Sequence, residues 1–156
     1  MLKVDPMSAI PNSARWLGLL GLLPFLGLTA MHVLEMETDL LAPGLARRAY
    51  GAVILSFIGG IQWGLGIRLS DGNARSRQGL SGMLVMSVIP SLIAWGGLLA
   101  PETLGFGLLI AGFGLVLAVD MRAVRAGMAP SWYPRLRYPL TAVVISTLAV
   151  STVFGA

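Results

Sequence analysis

The sequence contains no cysteine, and His32 is its only histidine. Without cysteine the chain cannot form disulfides, thiolate metal sites or iron–sulfur clusters, and it has no cysteine nucleophile. A single histidine argues against a histidine-based metal centre and against a Ser/His/Asp triad. We therefore expect no metal site and no bound cofactor.

Charged residues are scarce as well. They make up 12% of the 156 residues, whereas 56% are hydrophobic, and the mean hydropathy is +0.80. A soluble domain typically has about a quarter of its residues charged. Most of this chain cannot face water, so the sequence predicts a single membrane domain over residues 1–156.

The apolar residues are grouped in five long runs. A bilayer core about 30 Å thick is crossed by about 20 residues of helix, and a helix satisfies its own backbone hydrogen bonds in lipid. We therefore predict an all-α integral membrane protein, a bundle of five transmembrane helices. The predicted spans are residues 16–34, 50–67, 80–99, 104–119 and 140–154.

Lysine and arginine are distributed unevenly between the two ends of these spans. With the N-terminus in the cytoplasm, nine basic residues fall on the cytoplasmic side, and only Arg47 and Arg48 fall outside. The positive-inside rule then predicts a cytoplasmic N-terminus and a C-terminus outside. The same rule explains the net charge of +4. Because no continuous basic groove with stacking aromatic residues is present, we expect no nucleic-acid partner.

The loop after the fourth run, from Asp120 to Tyr138, is rich in arginine and aromatic residues. Tryptophan and tyrosine are typical of the headgroup level, and each arginine there attracts anionic lipid by about 1 kcal/mol. The loop is thus predicted to anchor the protein, or to form a defined site for a lipid or a partner protein. The candidate residues are Trp132, Tyr133, Arg135 and Arg137. Asp120, beside Arg122 and Arg125, is expected to form an exposed ion pair of little energetic weight.

Glycines recur at intervals that suit helix packing. Gly60 and Gly64 form a GxxxG pair in the second span, and Gly112 belongs to a glycine stripe in the fourth. Small residues let two helix backbones approach closely in lipid. Packing within the chain is the preferred interpretation, and a homodimer or a partner subunit using the same face is the alternative.

Gln62 and Trp63 lie in the middle of the second span. A glutamine amide at that depth needs a partner. This partner is either another helix, through a hydrogen bond, or a lipid-like or quinone-like ligand. Pro90 predicts a kink in the third span, and such a kink can open a cavity beside Gln62 and Trp63.

His32 and Glu35 share a face at the end of the first span. They form either a solvated helix end, which we prefer, or a proton relay. No charged residue lies in the middle of any predicted span, which argues against an ion-coupled pump. The sequence also lacks phosphate-loop, dinucleotide, HExxH and GxSxG motifs.

Two blocks of the sequence resemble a known family. One ends in Gly-Gly-x-x-Trp-Gly at residues 59–64, and the other contains Pro-x-Trp-Tyr at residues 130–133. They are similar to the transmembrane protein 69-like family, also called the domain of unknown function 3429, over about residues 13–155. The resemblance implies a small five-span protein of the bacterial inner membrane, with mitochondrial inner-membrane relatives. It brings no activity, substrate or cofactor. The family's recurring positions would be Gly60, Trp63, Gly64, Pro130, Trp132, Tyr133, Leu136 and Arg137.

Two classes of function remain. The first is a non-catalytic inner-membrane protein that packs as an accessory or assembly subunit, in a homodimer or with a partner membrane subunit, in contact with membrane lipids, anionic ones included. The second is a small transporter or binder of an apolar or amphipathic molecule, with its cavity near Gln62, Trp63 and Pro90. An enzyme is disfavoured because no general base lies at a suitable depth, so no catalytic residue is predicted.

Overall fold

The chain forms five α-helices in a computed structural model that describes residues 10–34, 36, 43–70 and 74–154. No strand occurs in those ranges, so the all-α prediction is confirmed. Each predicted span overlaps one helix, and the second to fifth helices all extend beyond the predicted boundaries. The helices are α1 (Asn12–Val33), α2 (Pro43–Ser70), α3 (Ala74–Leu99), α4 (Glu102–Arg125) and α5 (Tyr133–Phe154).

Four of the helices are long and apolar enough to cross a membrane. Their apolar segments are Asn12–Val33, Gly44–Ile67, Leu80–Leu99 and Glu102–Arg125. Helix α5 is not among them within the described residues, and its first turns carry Arg135 and Arg137. The architecture is thus an all-helical bundle with at least four helices of membrane-spanning character.

Helices α2 and α4 each pack against three other helices, α2 against α1, α3 and α4. Helix α4 packs against α2, α3 and α5, while α1 packs against α2 and α5. The link from Leu99 to Glu102 is so short that α3 and α4 are antiparallel neighbours, as the sequence predicts. All five helices contribute to one apolar core. Its buried members are Leu22, Phe25, Ala52, Leu55, Ile58, Ala94, Phe106, Leu109, Phe113, Val116, Val144 and Leu148.

Glycines on the inner faces of the helices set how closely the backbones approach. A Cβ atom at Gly112 would lie 2.5 Å from Cδ2 of Leu55, and one at Gly105 would collide with the carbonyl oxygen of Gly97. A side chain at Gly105 would therefore meet backbone, and one at Gly112 would require Leu55 to shift. Dispersion contacts of this kind hold helices together in lipid, where no hydrophobic force acts between them.

Gly60 and Gly64 take no part in this internal packing. A Cβ atom at either position would meet no atom of the described chain within 4 Å. The neighbouring Gly59 packs instead, because its Cβ would lie 2.9 Å from Cβ of Pro90. Packing within the chain, the interpretation preferred from the sequence, is therefore wrong for the Gly60–Gly64 pair, which lies on an outward face of α2.

The arginines at the start of α2 are buried in the bundle. Arg47 and Arg48 lie on Phe106, with Cζ atoms 5.4 and 6.0 Å from its ring centroid. Nη1 of Arg48 donates to the carbonyl of Ala100 at 3.0 Å and so caps the end of α3. Arg47 and Arg48 are therefore helical and shielded, whereas the count of basic residues on each side of the membrane treats them as charges in a loop.

Helix α4 ends in a Schellman motif. Gly127 adopts a left-handed conformation with φ 72°, its N–H donates to the carbonyl of Val124, and the N–H of Met128 donates to that of Ala123. This pair of hydrogen bonds ends a helix where a glycine adopts a positive φ. The chain turns back at once, so the start of α5 lies beside the last turns of α4.

Candidate functional site: a buried polar cluster beside an apolar cavity

Asp120 is the centre of a buried polar cluster. Its Oδ1 accepts a hydrogen bond from Nε2 of Gln62 at 3.1 Å. Its Oδ2 accepts from Nε of Arg137 at 2.8 Å and from the hydroxyl of Tyr133 at 3.2 Å. Three donors from α2 and α5 thus converge on one carboxylate of α4, and we call these four residues the Asp120 cluster.

The helical period of α4 explains why Asp120 points inward. Phe106, Phe113 and Val116 are buried on one face of this helix, and Asp120 follows at the same spacing of three to four residues. The carboxylate therefore continues an apolar face. That periodicity is the signal in the sequence by which Asp120 could have been assigned to the interior.

The expected exposed ion pair of Asp120 with Arg122 and Arg125 is wrong. Asp120 is 1% exposed, while Arg122 and Arg125 lie on the solvent-accessible side of α4. The partner is Arg137, whose side chain is 9% exposed. A buried pair of this kind behaves differently from a surface pair, because removing either member leaves an uncompensated charge inside the bundle.

The membrane-anchor loop divides into an inward and an outward part. Tyr133 and Arg137 turn into the bundle, whereas Arg135 is exposed. Trp132 is half-buried and packs edge-on against the Tyr133 ring, with centroids 5.9 Å apart. Of the four residues predicted as one lipid-binding site, two therefore belong to the Asp120 cluster and two lie outside it.

Gln62 and Trp63 do not share a site either. Gln62 is 3% exposed and bonded to Asp120, which is the interhelical hydrogen bond expected from its depth. Trp63 is 48% exposed and lies on the outer side of α2. The space between Gln62 and Pro90, where the sequence suggested a cavity, holds no volume for a water molecule, since Gly59 packs directly against Pro90.

A larger cavity lies on the other side of the cluster, between α1, α2 and α5. Its volume is ≈ 270 Å³, and apolar side chains form most of its wall. Leu17 and Phe57 border it and are largely exposed, so it opens sideways toward lipid. We call it the α1–α2–α5 cavity.

One face of α5 gives this cavity its polar wall. Tyr133, Arg137 and Thr141 follow each other at intervals of four residues, which places them on the same side of the helix, and all three line the cavity. Nη2 of Arg137 and Oγ1 of Thr141 are shielded from solvent and have no hydrogen-bond partner within the described part of the chain. Thr141 is not among the residues predicted from the sequence to form a site, and its spacing of four from Arg137 is the pattern that indicates it.

A second, shallower groove lies on the surface between α4 and α5. Arg122, Arg125 and Tyr138 line it together with apolar residues of α4, and its volume is ≈ 390 Å³. Exposed arginine and tyrosine side chains of this kind are typical of the headgroup region of a membrane.

His32 gives no support to a metal site. Its Nε2 atom is shielded and has no partner in the ranges that the structure covers. Glu35 lies outside the described residues, so the suggested His32–Glu35 pair stays a prediction. Within the described residues no group of three or more His, Cys, Asp or Glu side chains is placed to hold a metal ion.

Comparison with known proteins gives consistent matches over almost the whole chain. Residues 10–153 match the family described as "Protein of unknown function (DUF3429)". "Transmembrane protein 69" of Xenopus tropicalis is 34% identical over 154 residues, which cover 96% of this chain and 57% of that protein. "Transmembrane protein 69" of Mus musculus is 30% identical over 145 residues, which cover 92% and 56%. No solved structure matches the chain.

The chain spans a little over half the length of these curated relatives. The family match includes all of α1 to α4 and the residues of the Asp120 cluster. Together with four helices of membrane-spanning character, it identifies a multi-pass membrane protein and confirms the resemblance carried by the two sequence blocks. The match over residues 10–153 shows that the protein is a member of the DUF3429 family, and the chain is also similar to transmembrane protein 69 of two vertebrates.

Proposed function

We propose that the protein is a five-span, non-catalytic subunit of the bacterial inner membrane that packs against a second copy of itself. The observation that carries this proposal is the outward Gly60–Gly64 pair, which the described part of the chain does not use for its own packing. This dimer would act as an accessory or assembly subunit of a larger membrane complex.

The burial of Arg137 supports α5 as the fifth span. Arg135 and Arg137 make the start of α5 polar; Arg135 is exposed, and the charge of Arg137 is neutralised by Asp120. From Leu140 onward the helix is apolar and packs against α1 and α4. A helix whose only buried cation is paired can enter the bilayer without exposing a bare charge to lipid.

The exposed arginines support the proposed orientation. Arg122, Arg125 and Arg135 are exposed near the α4–α5 loop, whereas Arg47 and Arg48 are buried at the opposite end of the bundle. Among these five arginines, the exposed positive charge therefore lies at one end of the bundle. We propose that this end faces the cytoplasm, where exposed arginines contact anionic headgroups.

The open face of α2 has the properties of a helix–helix interface in lipid. Exposed residues follow one another at alternating intervals of four and three, the spacing of a helix-packing seam. They are Val53, Phe57, Gly60, Gly64 and Ile67. Two small residues at the centre of the seam allow close approach of a second helix. Because none of the five is charged, two identical faces can meet about a twofold axis without repulsion.

Cysteine crosslinking tests the dimer directly, because the chain has no cysteine of its own. Gly60→Cys and Gly64→Cys should each give a disulfide-linked dimer when membranes are oxidised. Gly82→Cys and Gly96→Cys are matched controls, since a Cβ at these α3 glycines also meets nothing within 4 Å. Equal crosslinking at the control positions, or none at Gly60 and Gly64, contradicts the proposal. Crosslinks to a different protein would instead identify a partner subunit.

A non-catalytic role is also supported by how the polar groups are used. The carboxylate of Asp120 accepts three hydrogen bonds from protein side chains and is 1% exposed, whereas a general base must come within hydrogen-bond reach of its substrate. The cluster therefore has the features of a structural link between α2, α4 and α5.

A further inference from the structure

We propose that the α1–α2–α5 cavity binds the carbonyl end of a neutral amphipathic molecule, with Arg137 and Thr141 as the hydrogen-bond donors. The inference stands on the cavity and its polar wall, and it does not depend on the proposed dimer.

The donors are the first observation. Nη2 of Arg137 and Oγ1 of Thr141 lack a partner among the described residues, although the two residues are only 7% and 2% exposed. A buried polar group without a hydrogen bond is unfavourable. Both residues line the same cavity and are four positions apart on α5, so they lie on the same side of the helix and can both donate to a ligand bound there.

The charge of the site selects a neutral acceptor. Asp120 already neutralises Arg137 through the contact between Nε and Oδ2, so the guanidinium has a free N–H but no uncompensated charge. A second carboxylate or a phosphate would bring a net negative charge into an apolar cavity, which is costly. A carbonyl oxygen accepts both hydrogen bonds and adds no charge.

The size and opening of the cavity select an elongated apolar molecule. A volume of ≈ 270 Å³ lies just below the range of about 300–1,000 Å³ typical of ligand pockets. It admits one chain or one ring, and excludes a whole phospholipid. Because exposed Leu17 of α1 borders the opening and lies outside the proposed α2 seam, the rest of the molecule can extend into the bilayer on that side. Two lipid-soluble sources share this chemistry, the ester carbonyl of a lipid and the ring carbonyl of a quinone.

Two glycines of α1 provide a matched pair of variants. Gly21 lines the cavity, and a Cβ there would meet no atom within 4 Å. Gly21→Leu should therefore place its side chain in the cavity, since its Cβ is unobstructed. At Gly27 a Cβ is equally unobstructed, but Gly27 lies outside the cavity wall. Gly27→Leu thus controls for the added bulk and for the higher helix propensity of leucine.

Two threonines provide the second pair. Thr141→Val removes a cavity donor at nearly constant volume. Thr29→Val removes a hydroxyl that is likewise shielded and without a partner among the described residues, but on α1 and outside the cavity wall. Since the loss of a net hydrogen bond lowers affinity by about two- to tenfold, only Thr141→Val should weaken binding to that extent. Because neither hydroxyl is bonded, neither change should destabilise the protein.

The experiment is a titration of the detergent-solubilised protein, followed by native mass spectrometry. The probes are a decyl-substituted benzoquinone, methyl oleate and oleate. The last two share a chain and differ in charge. We expect one bound molecule of the quinone, of methyl oleate, or of both, and the pattern assigns the source. Binding should disappear in Gly21→Leu, weaken in Thr141→Val, and persist in Gly27→Leu and Thr29→Val.

Three results overturn the proposal. The first is that no neutral probe binds. The second is that oleate binds more tightly than methyl oleate, which contradicts selection of a neutral acceptor. The third is that Gly21→Leu and Thr141→Val bind as the wild-type protein does. A failure here leaves crosslinking at Gly60 and Gly64 unaffected, so the two proposals are tested separately.

Discussion

Nε of Arg137 lies 2.8 Å from Oδ2 of Asp120 in the interior of the bundle. The pair joins the last turns of α4 to the first turns of α5, and Gln62 extends the link to α2. The stability that such a buried ion pair contributes depends on the presence of both partners. A charge inside the bundle is tolerable only while its partner is present, so each residue determines whether the other is compatible with the fold.

The first prediction concerns this pair. Asp120→Asn keeps the size and an acceptor but leaves Arg137 uncompensated, and we expect a loss of about 3–5 kcal/mol in the free energy of unfolding. Arg137→Met should have a comparable effect. The double variant should lose clearly less than the sum of the two. Reversible unfolding in mixed detergent micelles measures all four proteins, and additive losses would show that the two charges do not interact.

The second prediction separates Gln62 from Trp63. Gln62→Leu removes a buried hydrogen bond to a charged acceptor, which contributes about 1.5–3 kcal/mol. Trp63→Leu changes a half-exposed residue on the outer side of α2 and should shift unfolding by no more than about 0.5 kcal/mol. Melting in detergent compares the two. Equal losses would place Trp63 in the same packed site as Gln62.

The third prediction tests the glycines of α4. Gly105→Ala directs a Cβ at the backbone carbonyl of Gly97 and close to Arg48, and overpacking of this kind costs about 1–3 kcal/mol. At Gly107 a Cβ is unobstructed, so Gly107→Ala should be neutral or stabilise by up to about 1 kcal/mol through helix propensity. The same detergent unfolding assay distinguishes the two variants. An unchanged free energy of unfolding in Gly105→Ala would mean that α3 and α4 lie farther apart than in this structure.

The fourth prediction tests the orientation. Single cysteines at Ser131, in the α4–α5 loop, and at Thr103, at the start of α4, replace exposed residues at opposite ends of that helix. A membrane-impermeant thiol reagent should label Thr103→Cys in intact cells and Ser131→Cys only after the membrane is opened. The reverse pattern would show that the arginine-rich end lies outside.

The sequence predicted the helices well and their contacts poorly. Long apolar runs determine where helices form, because lipid permits hardly any other backbone structure. Glycine spacing indicated close packing on α2, yet it could not indicate which side of the helix was in contact. Gly59 packs on Pro90, whereas Gly60, one position later and about 100° around the helix, faces outward.

The candidate site was only partly accessible from the sequence. Gln62 was expected to need a buried partner, and it has one. The sequence did not indicate that this partner is Asp120, because Asp120 lies 58 positions away and is followed closely by Arg122 and Arg125. Local neighbours suggested a surface ion pair, whereas helix periodicity and the fold of α5 onto α4 place the carboxylate opposite Arg137.

The sequence by itself determined the membrane class, the number and positions of the helices, and the family, since these follow from hydropathy, length and local motifs. Only the tertiary structure decided which charges are buried, which glycines are open and where the cavity lies. The physical reason is that hydrogen bonds, ion pairs and cavities depend on which faces of separate helices meet. Composition along one helix does not specify that pairing, and in this protein it brings Asp120, Gln62, Tyr133 and Arg137 together from three helices.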